Sequence, residues 1–332
     1  DFVWIMTDPR FWPWLWDMDN EIRKHAPLVY YHVWDNYPYP DFNKDFYDSN
    51  DLIASISKVT DDIVRNVSPD IQCIRVPHTV NTNIFKKLSG EEVAQTVPAR
   101  FIGDGKFTFF WNNRNARRKQ SGSLVFWFKD FLDEVGHDQA RLIMHTDPKD
   151  PHGQDLERII KHLKLDSGQV MLSVQKLPLE GLAAMYSFSD CTINISDAEG
   201  FGLATLESLA CETPIIVNMT GGLQEQVTDG KNWFGIGLQP TSKAIIGSQD
   251  VPWIYEDRLS KEVVVSALKE MFYKSEKERK KLGKLGRKHV LENYGFESYK
   301  KQWDEIFTNL HKELGSWEDR KNYKPWRVVE II

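Results

Sequence analysis

The chain has 332 residues, enough for two domains, and its composition is that of an ordinary globular protein. Its formal net charge of -6 gives no general attraction to nucleic acid, and it has no apolar run long enough for a membrane span. Three widely spaced cysteines without a CxxC pair argue against a disulfide framework or a zinc site and indicate a reduced compartment.

Short apolar runs alternate with stretches of helical periodicity along the chain, which predicts βαβ units and doubly wound parallel sheets of the α/β class. The predicted strands are Phe2–Met6, Leu28–Val33, Leu52–Ile56, Ile71–Val76, Phe107–Trp111, Arg141–His145, Gln169–Val174, Cys191–Ile195 and Pro214–Val217. The predicted helices are Leu124–Val135, Asp155–Leu163, Leu179–Phe188 and Leu203–Cys211, followed by a helical C-terminal region broken around Tyr294–Gly295.

Three stretches between these elements carry further predictions. The polar segment Lys86–Lys106, with its Gly and Pro residues, is interpreted as a linker between two domains. The Gly/Pro/Trp-rich stretch Lys231–Glu256 is predicted to be a long irregular loop. The basic cluster Lys277–Lys288 is interpreted as a solvated helix face, with a patch for a membrane or an acidic partner as the alternative.

The stretch "EGFGLATLE" places two carboxylates, Glu199 and Glu207, around a glycine turn that opens a helix. Glu199 follows the strand Cys191–Ile195, at the edge of an open α/β sheet where ligands bind. Gly200 and Gly202 allow backbone N–H groups to approach a ligand, and the helix N-terminus favours phosphate. Two carboxylates that accept hydrogen bonds from hydroxyl groups, beside a site for an anion, are suited to binding a sugar nucleotide. The alternative is an acid that complements a helix dipole plus an ordinary surface ion pair.

The stretch "FTFFWNNRNARRKQSG" is a predicted strand followed by four cations, Arg114, Arg117, Arg118 and Lys119. They follow the first strand of their domain and are predicted to lie on the same sheet edge as Glu199. Arg offers a bidentate fork for phosphate and Lys a point charge. A solvated basic turn is the alternative.

Together these stretches resemble the retaining GT-B glycosyltransferases of family 4. "EGFGLATLE" matches their E-x7-E signature, within the longer run "MYSFSDCTINISDAEGFGLATLESLACETPIIVNMTGGLQEQV". "RNARRK" matches their Arg-x4-Lys phosphate clamp, and "CIRVPHTVNTNIF" is similar to the segment before their interdomain linker. The resemblance covers most of residues 50–230.

The resemblance implies two Rossmann-like domains facing a cleft, with an N-terminal domain that is truncated here. The sequence begins at Asp1, as if already inside a strand and without an initiator Met, and no Gly-rich loop precedes the clamp. The implied domains are an acceptor-side domain (1–100), a donor-binding domain (101–297), and a C-terminal helix returning to the first domain (298–332).

The resemblance also implies a role for each site residue. Glu199 would contact the donor sugar near the reacting face, Arg114 and Lys119 would hold the diphosphate, and Glu207 would bind the ribose. Donor contacts would also come from the backbone at the glycine turn and from the segment after the third strand of this domain, which would cradle the base: Gly200, Phe201, Gly202, Leu203 and Val174–Pro178. No metal and no cofactor beyond the nucleotide-sugar substrate is implied.

Residues near the first strands depart from the family pattern. Family members often carry a His–Asp pair at the end of a strand, but here Trp34 precedes Asp35 and His32 lies two residues earlier. His32 and Asp35 are therefore candidate catalytic residues, with a hydrogen-bonded strand-end histidine as the alternative. Asp8 is interpreted as a turn-initiating residue before Pro9. The early tryptophans allow three interpretations: acceptor platform, core packing or a membrane-interface wedge.

The predicted function is transfer of a hexose from a nucleoside-diphosphate sugar to a carbohydrate, lipid or protein acceptor, with retention of configuration and without a metal. Two alternatives stay open: a non-catalytic nucleotide-sugar-binding protein or inactive fragment, and a GT-B nucleotide-sugar epimerase. No nucleic-acid partner is expected. The expected location is cytoplasmic, with peripheral membrane contact as an open possibility.

Overall fold

The computed structural model describes residues 1–327, so the end of the predicted C-terminal segment, residues 328–332, lies outside the described range. Its strands are β1 (Val3–Thr7), β2 (Leu28–His32), β3 (Leu52–Ser55), β4 (Cys73–Arg75), β5 (Phe107–Asn112), β6 (Ala140–His145), β7 (Val170–Ser173), β8 (Cys191–Asn194), β9 (Ile215–Asn218), β10 (Gly235–Leu238), β11 (Ser242–Ile246) and β12 (Ile254–Arg258). Its helices are α1 (Pro13–Asp17), α2 (Asp19–Arg23), α3 (Lys44–Asp48), α4 (Lys58–Val67), α5 (Gly90–Ala94), α6 (Ser121–Val135), α7 (Leu156–His162), α8 (Leu179–Phe188), α9 (Leu203–Ala210), α10 (Leu223–Val227), α11 (Lys261–Tyr273), α12 (Glu276–Asn293) and α13 (Phe296–Leu314). The α/β class and every predicted strand are confirmed, with ends that shift by a residue or two.

The chain forms two compact units. Unit 1 contains Asp1–His78, Ile245–Tyr255 and the chain from Glu297 to the end of the described range, and unit 2 contains Thr79–Ala244 and Glu256–Phe296. Residues 79–100, which the sequence assigned to the first domain, lie in unit 2. The reason is local: Lys87 Nζ donates to the Ser187 carbonyl at 2.7 Å, and the Leu88 amide donates to Ser187 Oγ at 3.1 Å.

Unit 1 is built on a parallel sheet in the order β1-β2-β3-β4. Strand β2 is buried along its whole length, as a central strand covered on both faces must be. Helix α13 contributes Trp303, whose ring contacts those of Trp4 and Tyr31 with centroids 5.7 and 5.3 Å apart. The last segment adds the buried side chain of Arg320, which donates to Asp51 Oδ1 at 2.8 Å.

Unit 2 is built on a parallel sheet in the order β10-β9-β8-β5-β6-β7. Its core combines aromatic residues of β5 with the apolar faces of α6 and α11. Strands β5 and β8 are neighbours, and the chain winds outward from them in opposite directions. This reversal is a topological switch point, where loops that leave the carboxyl ends of two adjacent strands diverge and open a crevice.

The prediction of an irregular loop over Lys231–Glu256 is wrong. The stretch contains β10, which pairs with β9, and most of the two-stranded β11–β12 sheet. Gly235 allows the close pairing of β10, because a Cβ at that position would lie 1.9 Å from the Ile215 carbonyl oxygen. Gly235, one of the glycines that suggested a loop, is thus needed for strand contact. Among residues 1–327, no helix combines the length and apolarity needed to cross a bilayer.

Candidate functional site

The predicted site residues of unit 2 converge on the switch point. Strand β5 ends at Asn112 and the basic turn follows it, while β8 ends at Asn194 and the loop with Glu199 follows that. The two loops are joined by a backbone hydrogen bond of 2.8 Å from the Asp197 amide to the Arg118 carbonyl. The predicted shared edge of the cations and the first acid is therefore present.

Lys119 and Glu199 form the centre of this site. The Lys119 ammonium donates to Glu199 Oε2, and Asn194 Nδ2 lies 3.5 Å from the same oxygen. Both side chains are almost inaccessible, at 9% and 13% exposed. Burial alone would raise the pKa of Glu199, but the positive charges of Lys119 and Arg118 lower it by more. The pKa of this carboxyl group therefore lies below its ordinary value. Glu199 is thus an ionised acceptor facing a cation.

The glycine turn is packed tightly around the backbone of Glu199. Gly202 has φ 92° and directly precedes α9, a conformation that an L side chain rarely adopts. At Gly221 a Cβ would lie 1.9 Å from the Glu199 carbonyl oxygen, and at Gly222 it would lie 2.7 Å from Phe201 Cα. Two glycines at the start of α10 therefore hold the loop that carries the acid.

The other predicted residues of the turn differ in exposure. Phe201 is buried, with its ring against Tyr294, and its carbonyl accepts a hydrogen bond of 2.7 Å from Gln226 Nε2. Leu203, at the first position of α9, is exposed. Phe201 thus anchors the turn, while the N-terminus of α9 remains accessible.

Glu207 lies one turn into α9 and is half-buried. Its Oε2 accepts a hydrogen bond of 2.8 Å from Tyr186 Oη, which in turn accepts one of 2.8 Å from Asn112 Nδ2. Burial raises the pKa of Glu207 to about 7, and the hydrogen bond from Tyr186 only partly offsets this rise. The role of Tyr186 could not be predicted from the sequence, because spacing alone does not show where a hydroxyl points.

The basic turn divides into two groups. Arg118 Nη1 donates to the Ala198 carbonyl and lies beside Lys119 and Glu199. Arg114 points elsewhere and is largely exposed: it forms a two-pronged contact with Asp150 at 2.6 and 3.2 Å and approaches His152 Nδ1 at 2.7 Å. The structure therefore brings Arg118 and Lys119 to the acid, and leaves the largely exposed Arg114 bound to the carboxylate of Asp150, which is 11% exposed.

An ion-pair network, which the sequence did not predict, braces both loops: its acids, Glu256 and Asp197, are buried, whereas Arg117 is exposed and Arg258 partly so. Arg117 binds Glu256 with two hydrogen bonds of 2.9 and 2.5 Å, and Arg258 bridges Glu256 at 2.6 Å and Asp197 at 3.0 Å. Asp197 also accepts from Gln120 at 2.5 Å, and its burial raises its pKa to about 6. Residues 256–258 thus form a strap that ties the turn after β5 to the loop after β8.

Val174, predicted to lie near the base, is exposed just after β7. It borders a groove of about 390 Å³ whose apolar walls include Ile143, Met171, Phe101 and Met185. The groove begins at the carboxyl end of β7 and has room for a flat ring system.

His32 and Asp35 lie in unit 1. His32 is fully buried, its Nε2 is 2.7 Å from Tyr47 Oη, and burial lowers its pKa to about 3. It is therefore a neutral core histidine, which favours the strand-end interpretation over a catalytic one. Asp35 is half-buried, and its predicted role remains a prediction.

The other early residues also take structural positions. Asp8 accepts from the Arg10 amide at 3.0 Å at the start of a short 3-10 turn, which supports the turn interpretation. Trp16 and Trp34 are buried in the core of unit 1, whereas Trp4 and Trp14 are substantially exposed. Core packing thus accounts for some of the tryptophans, and the exposed ones keep their other interpretations open.

The arrangement in unit 2 offers two cations, an ionised acid, a second acid of raised pKa and a free helix N-terminus around one crevice. Cations and N–H groups bind phosphate oxygens, and the acids accept hydrogen bonds from hydroxyls. Among the residues that the structure describes, no group of three His, Cys, Asp or Glu side chains is placed to hold a metal ion.

Comparison with known proteins gives a consistent result. Residues 128–245 match the family model "Glycosyl transferases group 1". The chain is 33% identical over 94 residues to a D-inositol 3-phosphate glycosyltransferase of Acidothermus cellulolyticus, covering 28% of this chain and 21% of that protein. It is 29% identical over 182 residues to the alpha-monoglucosyldiacylglycerol synthase of Acholeplasma laidlawii, covering 54% and 44%. The matched stretches thus span less than half the length of these relatives.

A similar fold occurs in the Anabaena protein HepE, solved in complex with UDP and glucose. The TM-score is 0.66 at 15% sequence identity, covering 86% of this chain and 72% of that one. Such a likeness identifies the fold, which is GT-B.

Proposed function

We propose that this chain, whose residues 128–245 match the family model "Glycosyl transferases group 1", transfers a hexose from a nucleoside-diphosphate sugar to an acceptor. One observation carries the proposal: Lys119 and Arg118 meet Glu199 at the switch point, beside the accessible N-terminus of α9. A pair of cations beside a buried ionised acid suits a ligand that carries both diphosphate and hydroxyl groups.

In this proposal each group of the site has one task. Lys119 and Arg118 bind the diphosphate and stabilise the charge that develops on it as the glycosidic bond breaks. Glu199 accepts hydrogen bonds from the sugar hydroxyls, backbone N–H groups from Gly200 to Leu203 bind sugar and phosphate oxygens, and Glu207 accepts from the ribose. The groove beside Val174 receives the base.

We further propose that the reaction retains the anomeric configuration and needs no metal. Support for metal independence comes from the two cations, which supply positive charge where the leaving group forms. The ion pair with Lys119 already occupies one carboxylate oxygen of Glu199, which supports an acceptor role for this acid over a nucleophilic one.

The side chain of Arg114 would have to move before it could bind the diphosphate. It is bound to Asp150 and His152, so a role in the diphosphate clamp would require it to leave these partners. Arg118, which already lies at the acid, is the better-placed second cation.

The acceptor stays unassigned among carbohydrate, lipid and protein, and a nucleic-acid partner is not proposed. A cytoplasmic location is proposed on the three free, buried thiols, which suit a reducing compartment.

Thermal unfolding in the presence of UDP, GDP, ADP and their hexose conjugates tests the donor site. A ligand at 100 times its Kd stabilises the fold by about 2.7 kcal/mol, which raises the Tm of a unit of this size by roughly 5 °C or more. We expect a shift with one base and no shift with the others.

Three variants serve as controls in the same experiment. Lys119→Ala and Arg118→Ala should abolish the shift, whereas Arg114→Ala should reduce it less than Arg118→Ala. A chain that unfolds cooperatively and shifts with no nucleotide would overturn the proposal. Chromatography of the same samples shows whether the donor sugar is hydrolysed or transferred. A Tm shift with neither reaction would support the non-catalytic alternative instead.

A further inference from the structure

Tyr186 connects two of the elements that meet at the donor site. It lies on α8, is fully buried, and its ring packs against Phe110 and Phe85 with centroids 5.1 and 6.2 Å apart. Its hydroxyl lies between Asn112 at the end of β5 and Glu207 on α9, 2.8 Å from each partner. The aromatic contacts hold the ring, so the hydroxyl has one fixed position.

The chemistry of the three groups also fixes the direction of the hydrogen bonds. A phenol has one hydrogen to donate, and the Asn112 amide nitrogen can only donate. With that nitrogen facing the phenol, the Tyr186 hydrogen must point to Glu207 Oε2. The chain of hydrogen bonds thus runs from Asn112 through Tyr186 to the carboxylate.

The carboxylate keeps one oxygen for a ligand. Within residues 1–327, Tyr186 supplies the one side-chain hydrogen bond to Glu207, and it occupies Oε2 alone. An ionised carboxylate can accept several hydrogen bonds, and Glu207 is only half-buried. Oε1 can therefore accept from two adjacent hydroxyls of a sugar while Oε2 stays fixed by the protein.

We propose, on the basis of the function proposed above, that Tyr186 and Asn112 are positioning residues that orient Glu207 toward the vicinal diol of the donor ribose. The relay acts through Glu207 and does not touch the nucleotide itself. We expect the relay to raise the affinity for ribonucleotides over that for nucleotides without the ribose hydroxyls. It should not affect the binding of the diphosphate.

The test measures Kd by calorimetry for UDP, GDP and their 2′-deoxy and 2′,3′-dideoxy forms. Tyr186→Phe keeps the ring and removes the hydroxyl, so it should weaken binding of the preferred ribonucleotide about tenfold. Binding of the dideoxy form and of inorganic pyrophosphate should stay unchanged, so the ratio between the ribo and dideoxy forms falls by the same factor. A purely structural role would change all these affinities together.

Two further variants separate the possible outcomes. Glu207→Gln should also reduce the ratio, and the double variant should be no worse than Glu207→Gln alone, because Tyr186 acts only through that acid. Tyr31→Phe removes a buried hydroxyl in unit 1, which donates to the Val76 carbonyl at 2.8 Å, and should leave the ratio unchanged.

The failure of the inference can be told apart from that of the proposed function. A wild-type chain that binds UDP or GDP and keeps its ribo-to-dideoxy ratio in Tyr186→Phe would overturn the inference alone. A wild-type chain that binds no nucleotide would overturn both.

Discussion

At the scale of single residues, Glu207 shows what the fold does to an ordinary carboxyl group. In an unfolded chain it ionises like any glutamate, but on α9 its burial raises the pKa to about 7, and one tyrosine hydroxyl is its hydrogen-bond donor from the described protein. The other acid of the motif is Glu199, and the charges of Lys119 and Arg118 lower its pKa. Two glutamates of one sequence motif thus have different protonation behaviour near neutral pH.

Glu207 therefore makes stability depend on pH. A carboxyl group whose pKa is higher in the folded state than in the unfolded state favours folding most below pH 4.5, and this contribution is lost as the pH rises to about 7. Glu207→Gln is neutral throughout, so it should be more stable than the wild type at pH 8, by as much as about 3 kcal/mol. The difference should fall below about 1 kcal/mol at pH 5.

Urea unfolding at the two pH values measures this difference. Glu292→Gln, at an exposed position paired with Lys288 at 3.7 Å, is the matched control and should show no such trend. Equal stability of Glu207→Gln and the wild type at pH 8 would contradict the expected pKa.

At the scale of elements, the site depends on contacts between turns. Gly221 and Gly222 directly precede α10, yet their lack of side chains serves the loop after β8, whose backbone lies against them. Residues 256–258 brace the same loop through Glu256 and Arg258 from a strand that comes much later in the chain. The position of Glu199 thus depends on these two segments besides its own.

Gly221→Ala should displace Glu199 and weaken donor binding. Its Cβ would lie 1.9 Å from the Glu199 carbonyl oxygen, at a backbone φ of 48°. We expect at least a tenfold loss of nucleotide affinity, measured by calorimetry, since the carbonyl and its side chain must move together.

Gly230→Ala separates the clash from the backbone strain. Gly230 also has a positive φ, 91°, but no atom lies within 4 Å of its added Cβ. This variant should lose roughly 1 kcal/mol of stability and keep its nucleotide affinity. Equal affinities of the two variants would show that the contact with Glu199 does not matter.

The sequence predicted the elements and the shared sheet edge of the cations and Glu199, but neither the Lys119–Glu199 ion pair nor the supporting groups. Apolar runs identify buried strands, and residues that follow parallel strands lie at one edge of the sheet. The sequence could therefore place Lys119 and Glu199 at the same edge. Glu256 lies 139 residues from Arg117, and only the path of β12 brings them into contact. The exclusion of Arg114 from the acid likewise follows from Asp150, on a loop that no periodicity predicts.

At the scale of the whole molecule, each unit has its own core and its own buried charges. In unit 1, Asp51 is the point where three segments meet. Its carboxylate accepts from Arg320 at 2.8 Å, from Arg23 at 3.3 Å and from the Leu28 amide at 2.8 Å. The side chain of Arg320 is 5% exposed and that of Arg23 is 15% exposed. Water could therefore not fully replace the Asp51 carboxylate as their hydrogen-bond partner.

Asp51→Asn should destabilise unit 1 without affecting the donor site. It leaves two largely buried guanidinium groups without their shared negative charge, at a cost of roughly 3 kcal/mol. Calorimetry should show a lower Tm for unit 1, while nucleotide affinity at 20 °C stays as in the wild type.

Asp48→Asn is the corresponding exposed control, since Asp48 pairs with Lys44 at the surface at 2.7 Å. It should change stability by less than about 0.5 kcal/mol. A parallel loss of nucleotide affinity in Asp51→Asn would show that the donor site depends on unit 1.

The interleaving of the two units has a consequence for synthesis on the ribosome. Domains generally fold as they emerge, the N-terminal one first, but unit 1 takes its last part from the chain after Glu297. Unit 2 is complete once Phe296 has left the exit tunnel, whereas β1 to β4 still lack Trp303 and the guanidinium of Arg320. The segment β1 to β4 is therefore translated before unit 2 but completes its fold after it, and until then the apolar surface that Trp303 covers is open to aggregation.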